Sequence, residues 1–192
     1  MAGGSGNDTL YGGPGNWIEP DSGVQPDTDS IDGGPGTDTV RYDLPTLRDP
    51  VTVDLDGVAD DGAPGENDHV MTTVEWVVGT PGNDTIIGDA QDNRLTGGGG
   101  VDTLFGLGGN DALYGGSGSD LLDGGDGGDY LTADSGTDTL IGGPGDDRMY
   151  GGTDADTLLA IDGAVDTTVD GGLAGEGNAC FTDPVDTPVD CT

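Results

Sequence analysis

The sequence is poor in basic side chains: lysine and arginine together number four, against 38 acidic residues, for a net charge of -34. Such a surface repels nucleic-acid phosphates and anionic lipids, so neither is expected as a partner, and cations are. Core-forming residues are also scarce. The 15 Leu, 14 Val, 6 Ile and 2 Phe in 192 residues are fewer than a strongly charged chain needs for a conventional globular core. No apolar run approaches the ~18 residues that would suggest a membrane span, so no membrane insertion is expected. With 41 glycines and 11 prolines, no segment sustains a helical apolar period. The single histidine, His69, sits in an acidic loop and is read as a solvated residue, which leaves no constellation for catalysis. The chain is therefore expected not to be an enzyme, and no catalytic residue is assigned.

What is present in excess is aspartate, 34 residues against 4 glutamates. Solvation alone would be served as well by glutamate. The shorter side chain holds its oxygens close to the backbone, which suits turns and hard-cation sites where carboxylates and peptide carbonyls share one ion.

The aspartates recur with a period of nine residues. From residue 79 to 159 the chain reads GTPGNDTII, GDAQDNRLT, GGGGVDTLF, GLGGNDALY, GGSGSDLLD, GGDGGDYLT, ADSGTDTLI, GGPGDDRMY and GGTDADTLL. Each unit approximates G-G-x-G-x-D-x-U-x with U apolar. Position eight holds Ile86, Leu95, Leu104, Leu113, Leu122, Leu131, Leu140, Met149 and Leu158, a fidelity foreign to disordered low-complexity sequence. Position six holds Asp84, Asn93, Asp102, Asp111, Asp120, Asp129, Asp138, Asp147 and Asp156. Six turn-formers followed by three strand-like residues, one of them inward, make half a coil. Two units close a coil, so one row of carboxylates runs Asp84, Asp102, Asp120, Asp138, Asp156 and the opposite row Asn93, Asp111, Asp129, Asp147. Neighbours in a row stand at the spacing of adjacent parallel strands, about 4.8 Å. Arrays of this kind argue against paired catalytic acids, which do not recur in every unit.

These units resemble the RTX, or haemolysin-type calcium-binding, nonapeptide repeat. The resemblance implies an all-β fold, a right-handed parallel β-roll (β-solenoid) with two nonapeptides per coil and Ca²⁺ in the turns. Each ion would lie between consecutive loops on one side, taking aspartate oxygens and backbone carbonyls, with up to about seven ions in the regular block. The implied role is calcium binding by an extracellular roll that folds on taking up the ion, secreted from the cell. Rival readings are an adhesion or ice-binding stalk, or an accessory module of a larger secreted hydrolase. Position three, from Pro81 through Ser117 to Thr153, forms no rank of Thr and Asn of the kind an ice-binding roll of this family needs.

Outside the block the pattern loosens. Residues 1–41 read as degenerate repeats: GGSGNDTLY and GGPGTDTVR match fully, the stretch between them is damaged, and Asp8, Asp29 and Asp38 are the candidate ligands, with Asp8 expected to face Asp29. Residues 42–78 read as longer strand-loop-strand coils that continue the roll. There Val51, Val53 and Leu55 form one alternating set and Val74, Trp76 and Val78 another, while Asp54, Asp56, Asp60, Asp61, Glu66 and Asp68 between them are read as a solvated loop, with a further ion site as the alternative. Residues 160–192 read as a degenerate repeat and cap that hides an open sheet edge. Cys180 falls at an inward position and Cys191 follows 11 residues later, so a disulfide that pins the tail is expected over two free thiols, contributing about 3 kcal/mol. This ending resembles the cysteine-bearing terminus of calcium-binding proteins of actinobacteria, which implies an export signal upstream of the sequence given. Tyr114, Tyr150 and Phe105 are placed outward, as surface aromatics over strand backbone.

Overall fold

The turn-rich half of each unit can only be a corner, and the three residues after its aspartate have room for one inward side chain. Strands accordingly run over Thr85–Ile87, Thr103–Phe105, Leu121–Asp123 and Thr139–Ile141, each with its central residue buried between two half-buried neighbours. The computed structural model describes residues 9–11, 30–43, 49–64, 68–173, 177–186, 188–189 and 191. Within them the chain is an all-strand parallel solenoid, and none of them forms a helix long and apolar enough to cross a membrane.

Two sheets face one another. The first stacks Thr9–Tyr11, Thr39–Arg41, Trp76–Val78, Arg94–Gly99, Ala112–Ser117, Tyr130–Ser135, Arg148–Tyr150, Thr168–Asp170 and Pro188–Val189 in that order. The second stacks Thr52–Asp54, Thr85–Ile87, Thr103–Phe105, Leu121–Asp123, Thr139–Ile141, Thr157–Ala160 and Ala179–Thr182. Parallel registers align Leu95, Leu113, Leu131 and Met149 on one side and Ile86, Leu104, Leu122, Leu140 and Leu158 on the other. All nine are fully buried, so the predicted apolar ladders are the core. A narrow core suffices because each coil covers the next, and no residue has to be buried from every direction at once.

Glycine is required where coils touch. At Gly118, φ is 137°, and a Cβ would collide with the carbonyl oxygen of Gly100 in the preceding coil. Leu107, Asp134 and Asp154 adopt positive φ of 74°, 71° and 79° at positions where other units place glycine, a local cost that neighbouring coils override.

Residues 42–78 join the same sheets, with Val53 beside Ile86 and Val77 between Val40 and Leu95. Val51, Val53, Leu55 and Val74 are buried as expected, but Trp76 and Val78 are corrected. Val77 points inward, while Trp76 is 40% exposed and Val78 half-buried. The reason is that Glu75 takes the corner position of the aspartates, which fixes the inward residue two places later. On the outer face Arg94 lies over the Trp76 ring at 5.5 Å and the Tyr114 ring at 4.4 Å. Tyr114, Tyr130 and Tyr150 continue that stack with centroids 6.0 and 5.5 Å apart.

A second correction concerns the first coils. Thr9–Tyr11 pairs with Thr39–Arg41, and Ser30–Ile31 pairs with His69–Val70, so the strand after Asp8 neighbours the strand after Asp38 rather than the one after Asp29. The partners Thr9 and Thr39 are 30 residues apart, where two units would separate them by 18. Asp8 and Asp29 themselves lie outside the described residues.

The sheets extend past residue 159. Thr168–Asp170 adds to Arg148–Tyr150, and Ala179–Thr182 adds to Thr157–Ala160 with Cys180 beside Leu158. Cys180 and Cys191 form a disulfide, Cα atoms 5.5 Å apart, and together they pack against the end of the core.

Leu122→Ala in calcium is expected to lower unfolding stability by about 2–5 kcal/mol, because a filled rung becomes a cavity between two coils. Val101→Ala, at a side chain 53% exposed, should stay within about 0.5 kcal/mol of wild type. Thermal or denaturant melts that rank the two the other way would contradict the assigned core.

Candidate metal centre

Each unit delivers its aspartate at the corner where turn becomes strand. There its backbone and its carboxylate are both taken up by neighbouring coils. On the second sheet's edge the N–H of Asp84 donates to Oδ1 of Asp102, Asp102 to Asp120, and Asp120 to Asp138, each at 2.8 Å, and Asp138 donates to Asp156 at 2.9 Å. On the opposite edge Asn93 donates to Asp111, and Asp111 to Asp129, at 2.7 Å, and Asp129 to Asp147 at 2.8 Å. The backbone carbonyl of the same residue accepts the first strand N–H of the next coil, as Asp102 does from Leu121 at 2.9 Å. The two rows read from the sequence are therefore assembled as continuous ladders.

Each carboxylate has a second oxygen, and its surroundings define the site. Oδ2 of Asp102, Asp111, Asp120, Asp129, Asp138 and Asp147 is buried and has no hydrogen-bond donor. For all but Asp138, whose unit opens with Ala133, it lies against the first glycine of its own unit: a Cβ on Gly106 would strike both Asp111 Oδ2 and the Gly124 carbonyl oxygen. An anionic oxygen kept from water and from every donor is costly, and native structures explain such groups by an ion or a proton. The surroundings are oxygen-only, carboxylate plus peptide carbonyl, which fits a hard cation such as Ca²⁺. Among the described residues no three His, Cys, Asp or Glu side chains converge on one point. A cation here would thus draw most of its ligands from the backbone of the turns.

Burial also moves the acidities. It pushes Asp102, Asp111, Asp138 and Asp147 up to about 7, and Asp129 up to about 6, against the lowering effect of the N–H donated to each. Neighbouring carboxylates add to the rise, Asp84 and Asp120 for Asp102, Asp156 and Asp120 for Asp138. Asp120 is raised for the same first reason, desolvation.

Asp84 and Asn93 stand apart from the rest of their rows. Asp84 Oδ2 accepts the N–H of Thr80 at 2.5 Å, and its Oδ1 accepts Val51 N–H at 2.8 Å and the Thr80 hydroxyl at 2.9 Å. Its oxygens are already satisfied by protein donors. Asn93 Oδ1 accepts the N–H of Asp89 at 2.8 Å. Both units lack the positive-φ turn of later ones, since Thr80 and Asp89 stand where those units place a left-handed residue.

The rows are also longer than the repeats suggested. Asp38 N–H donates to Glu75 Oε2 at 2.8 Å, Asp147 N–H to Asp166 Oδ1 at 3.0 Å, and Asp156 N–H to Asn178 Oδ1 at 2.9 Å. Glu75 and Asn178 lie two residues before an inward position, a signal present in the sequence wherever an acid or amide precedes an apolar residue at that spacing. Asp166 lies three before Val169, displaced by one extra turn residue, which hid it.

The acidic loop is not simply solvated. Asp61 is buried, its oxygens accepting the N–H of Asp54 at 2.6 Å and of Val70 at 2.9 Å, and burial pushes its carboxyl up to about 6. Asp68 is buried too, and His69 Nε2–H donates to the Gly57 carbonyl at 2.6 Å. Backbone demands at the hairpin that returns Asp61 to Asp68 explain why these residues turn inward.

A sequence model of the RTX calcium-binding nonapeptide repeat, four copies long, matches residues 1–16, 26–43, 73–104, 96–131 and 123–158. No curated protein matches the chain.

The raised carboxyls set a pH dependence for the metal-free chain. Their folded values lie above the unfolded 3.8, so the folded state binds the extra protons. The stability they confer is complete below about pH 4 and is lost as pH rises through about 6 to 7. In chelator, melting temperature is expected to fall between pH 5 and pH 8. A metal-free stability that climbs over that window would contradict the buried geometry of the ladders.

Proposed function

Because the chain belongs to the RTX calcium-binding nonapeptide-repeat family, we propose that the paired turns of its two aspartate ladders are the calcium sites and that the ion drives the roll to fold. The observation that carries this reading is the set of buried Oδ2 atoms without a donor, one per coil edge, from Asp102 to Asp147. Ions would lie between the turns of Asp102 and Asp120, Asp120 and Asp138, Asp138 and Asp156, Asp111 and Asp129, and Asp129 and Asp147. That is about five in the regular block, at six to eight oxygens each. Asp84 and Asn93, whose oxygens already have protein donors, act instead as hydrogen-bonding scaffold within the ladders. Asp38 belongs to the same row through Glu75 and is assigned a weaker share.

Without the ion, stacked carboxylates and a net charge of -34 oppose compaction. With it, one cation ties two coils together and neutralises both corners, so binding free energy becomes folding free energy. The disulfide favours an oxidising compartment, and extracellular calcium then supplies the trigger after export. The role is structural and non-catalytic.

Calorimetric titration with Ca²⁺, alongside circular dichroism in calcium and in EDTA, tests the proposal. Wild type is expected to gain parallel-strand signal on binding several ions. Asp120→Asn should reduce the number bound by one or two, since Asp120 serves the pairs on both sides. Asp84→Asn should keep the stoichiometry while costing about 1–3 kcal/mol of stability. Full strand signal in EDTA at pH 8 together with no heat of calcium binding would overturn the proposal.

A further inference from the structure

The ladder that runs from Asn93 to Asp147 does not stop with the repeats. The family match ends at residue 158, yet Asp166 is 1% exposed and repeats the bonding of its predecessors. Its Oδ1 accepts the Asp147 N–H at 3.0 Å, its own N–H donates to Asp186 Oδ1 at 3.0 Å, and its Oδ2 is buried with no donor. Asp147 Oδ2, one coil earlier, is in the same condition. Two anionic oxygens on adjacent coils, both shut away from water, are the feature that marks four of the five pairs assigned above, those drawn from Asp102, Asp111, Asp120, Asp129, Asp138 and Asp147.

The coil that covers this pair is built differently from the others. Asp186 sits between Cys180 and Cys191, within the loop their disulfide closes. Asp186 Oδ2 accepts the Asp183 N–H at 2.9 Å, and Asp183 Oδ2 accepts the Gly163 N–H at 2.6 Å, which ties this loop to the turn that leads into Asp166. Cys191 Sγ lies 3.6 Å from the carbonyl oxygen of Val169, on the strand Asp166 introduces. Where the regular coils are held by the next repeat, this one is held by a covalent clasp.

We propose that a calcium ion binds between the turns carrying Asp147 and Asp166, outside the repeat-matched sequence, and that the Cys180–Cys191 disulfide holds the covering coil in place so that this site depends on redox state. The inference rests on the calcium reading above. It adds a site with its own ligand and its own control, since the chain has two cysteines in all and a reductant acts nowhere else.

The substitution that separates ligand from scaffold is Asp166→Asn. In the other ladder Asn178 accepts the Asp156 N–H at 2.9 Å, so an amide at such a corner keeps the rung while removing the anionic oxygen. Calorimetric titration with Ca²⁺ is run on wild type, Asp166→Asn and Asp120→Asn, each oxidised and after reduction. Oxidised wild type is expected to bind one ion more than oxidised Asp166→Asn. Reduction should weaken one site of wild type at least tenfold and remove nothing further from Asp166→Asn. Equal stoichiometry in oxidised wild type and Asp166→Asn overturns the site. If Asp120→Asn still loses ions, the calcium reading of the repeats survives that result. Wild type that takes up no calcium sinks both. Site affinities in wild type that are all indifferent to reduction overturn the redox dependence, and a melting-temperature loss in Asp166→Asn that is the same in calcium and in EDTA assigns Asp166 to scaffold alone.

Discussion

The rung between coils, a backbone N–H given to one oxygen of the next aspartate while the other oxygen is buried without a donor, is the constraint on which the structure depends. It couples architecture to charge at each repeat. The same carboxylate that sets the corner geometry creates a local deficit that a divalent oxygen-seeking ion can meet. The glycine that opens the unit leaves room for that oxygen, and the leucine two residues on plants the strand in the core. Turn, ligand and core are thus fixed by one short sequence pattern, and a change at any of the three positions is felt by the other two.

Much of this was legible in the sequence because the repeat fixes phase. Leu104, Leu122 and Leu140 could only be inward if they recurred at the same place after each turn, and the aspartates two residues earlier followed. Where the period failed, phase was lost. Val74, Trp76 and Val78 alternate plausibly and Val74 is buried, but alternation alone does not say where the phase shifts, and Glu75 at the corner gave the inward place in the strand to Val77 rather than to Trp76 or Val78. Asp166 was hidden by one added turn residue, and the pairing of Leu10 with Val40 by the damaged repeat in the sequence between them. The hydrogen bonds that satisfy Asp84 depend on Thr80 and Val51, a contact across 33 residues that no repeat count announces.

Charge placement explains how so acidic a chain is organised. The corner aspartates lie in two lines along the edges of the roll, while the outer face of the first sheet carries Arg94 among Trp76, Tyr114, Tyr130 and Tyr150. Ring faces and a guanidinium cover strand backbone there at little desolvation cost. The carboxylates that remain at the edges repel along each row, which is why neighbours raise one another's pKa.

The stacking of rungs at a separation of 18 residues has a consequence for how such a protein changes length. Removing or duplicating one whole coil rejoins an aspartate to an aspartate and a leucine to a leucine, so the cut surfaces are chemically identical and heal without new contacts. Losing half a coil instead moves every later strand to the opposite sheet. It would pair Ala179–Thr182 with the wrong neighbours and carry the cysteine clasp to the other edge. Solenoid length is therefore free to drift in full circuits only, and the cysteine-closed end travels along as a reusable terminus.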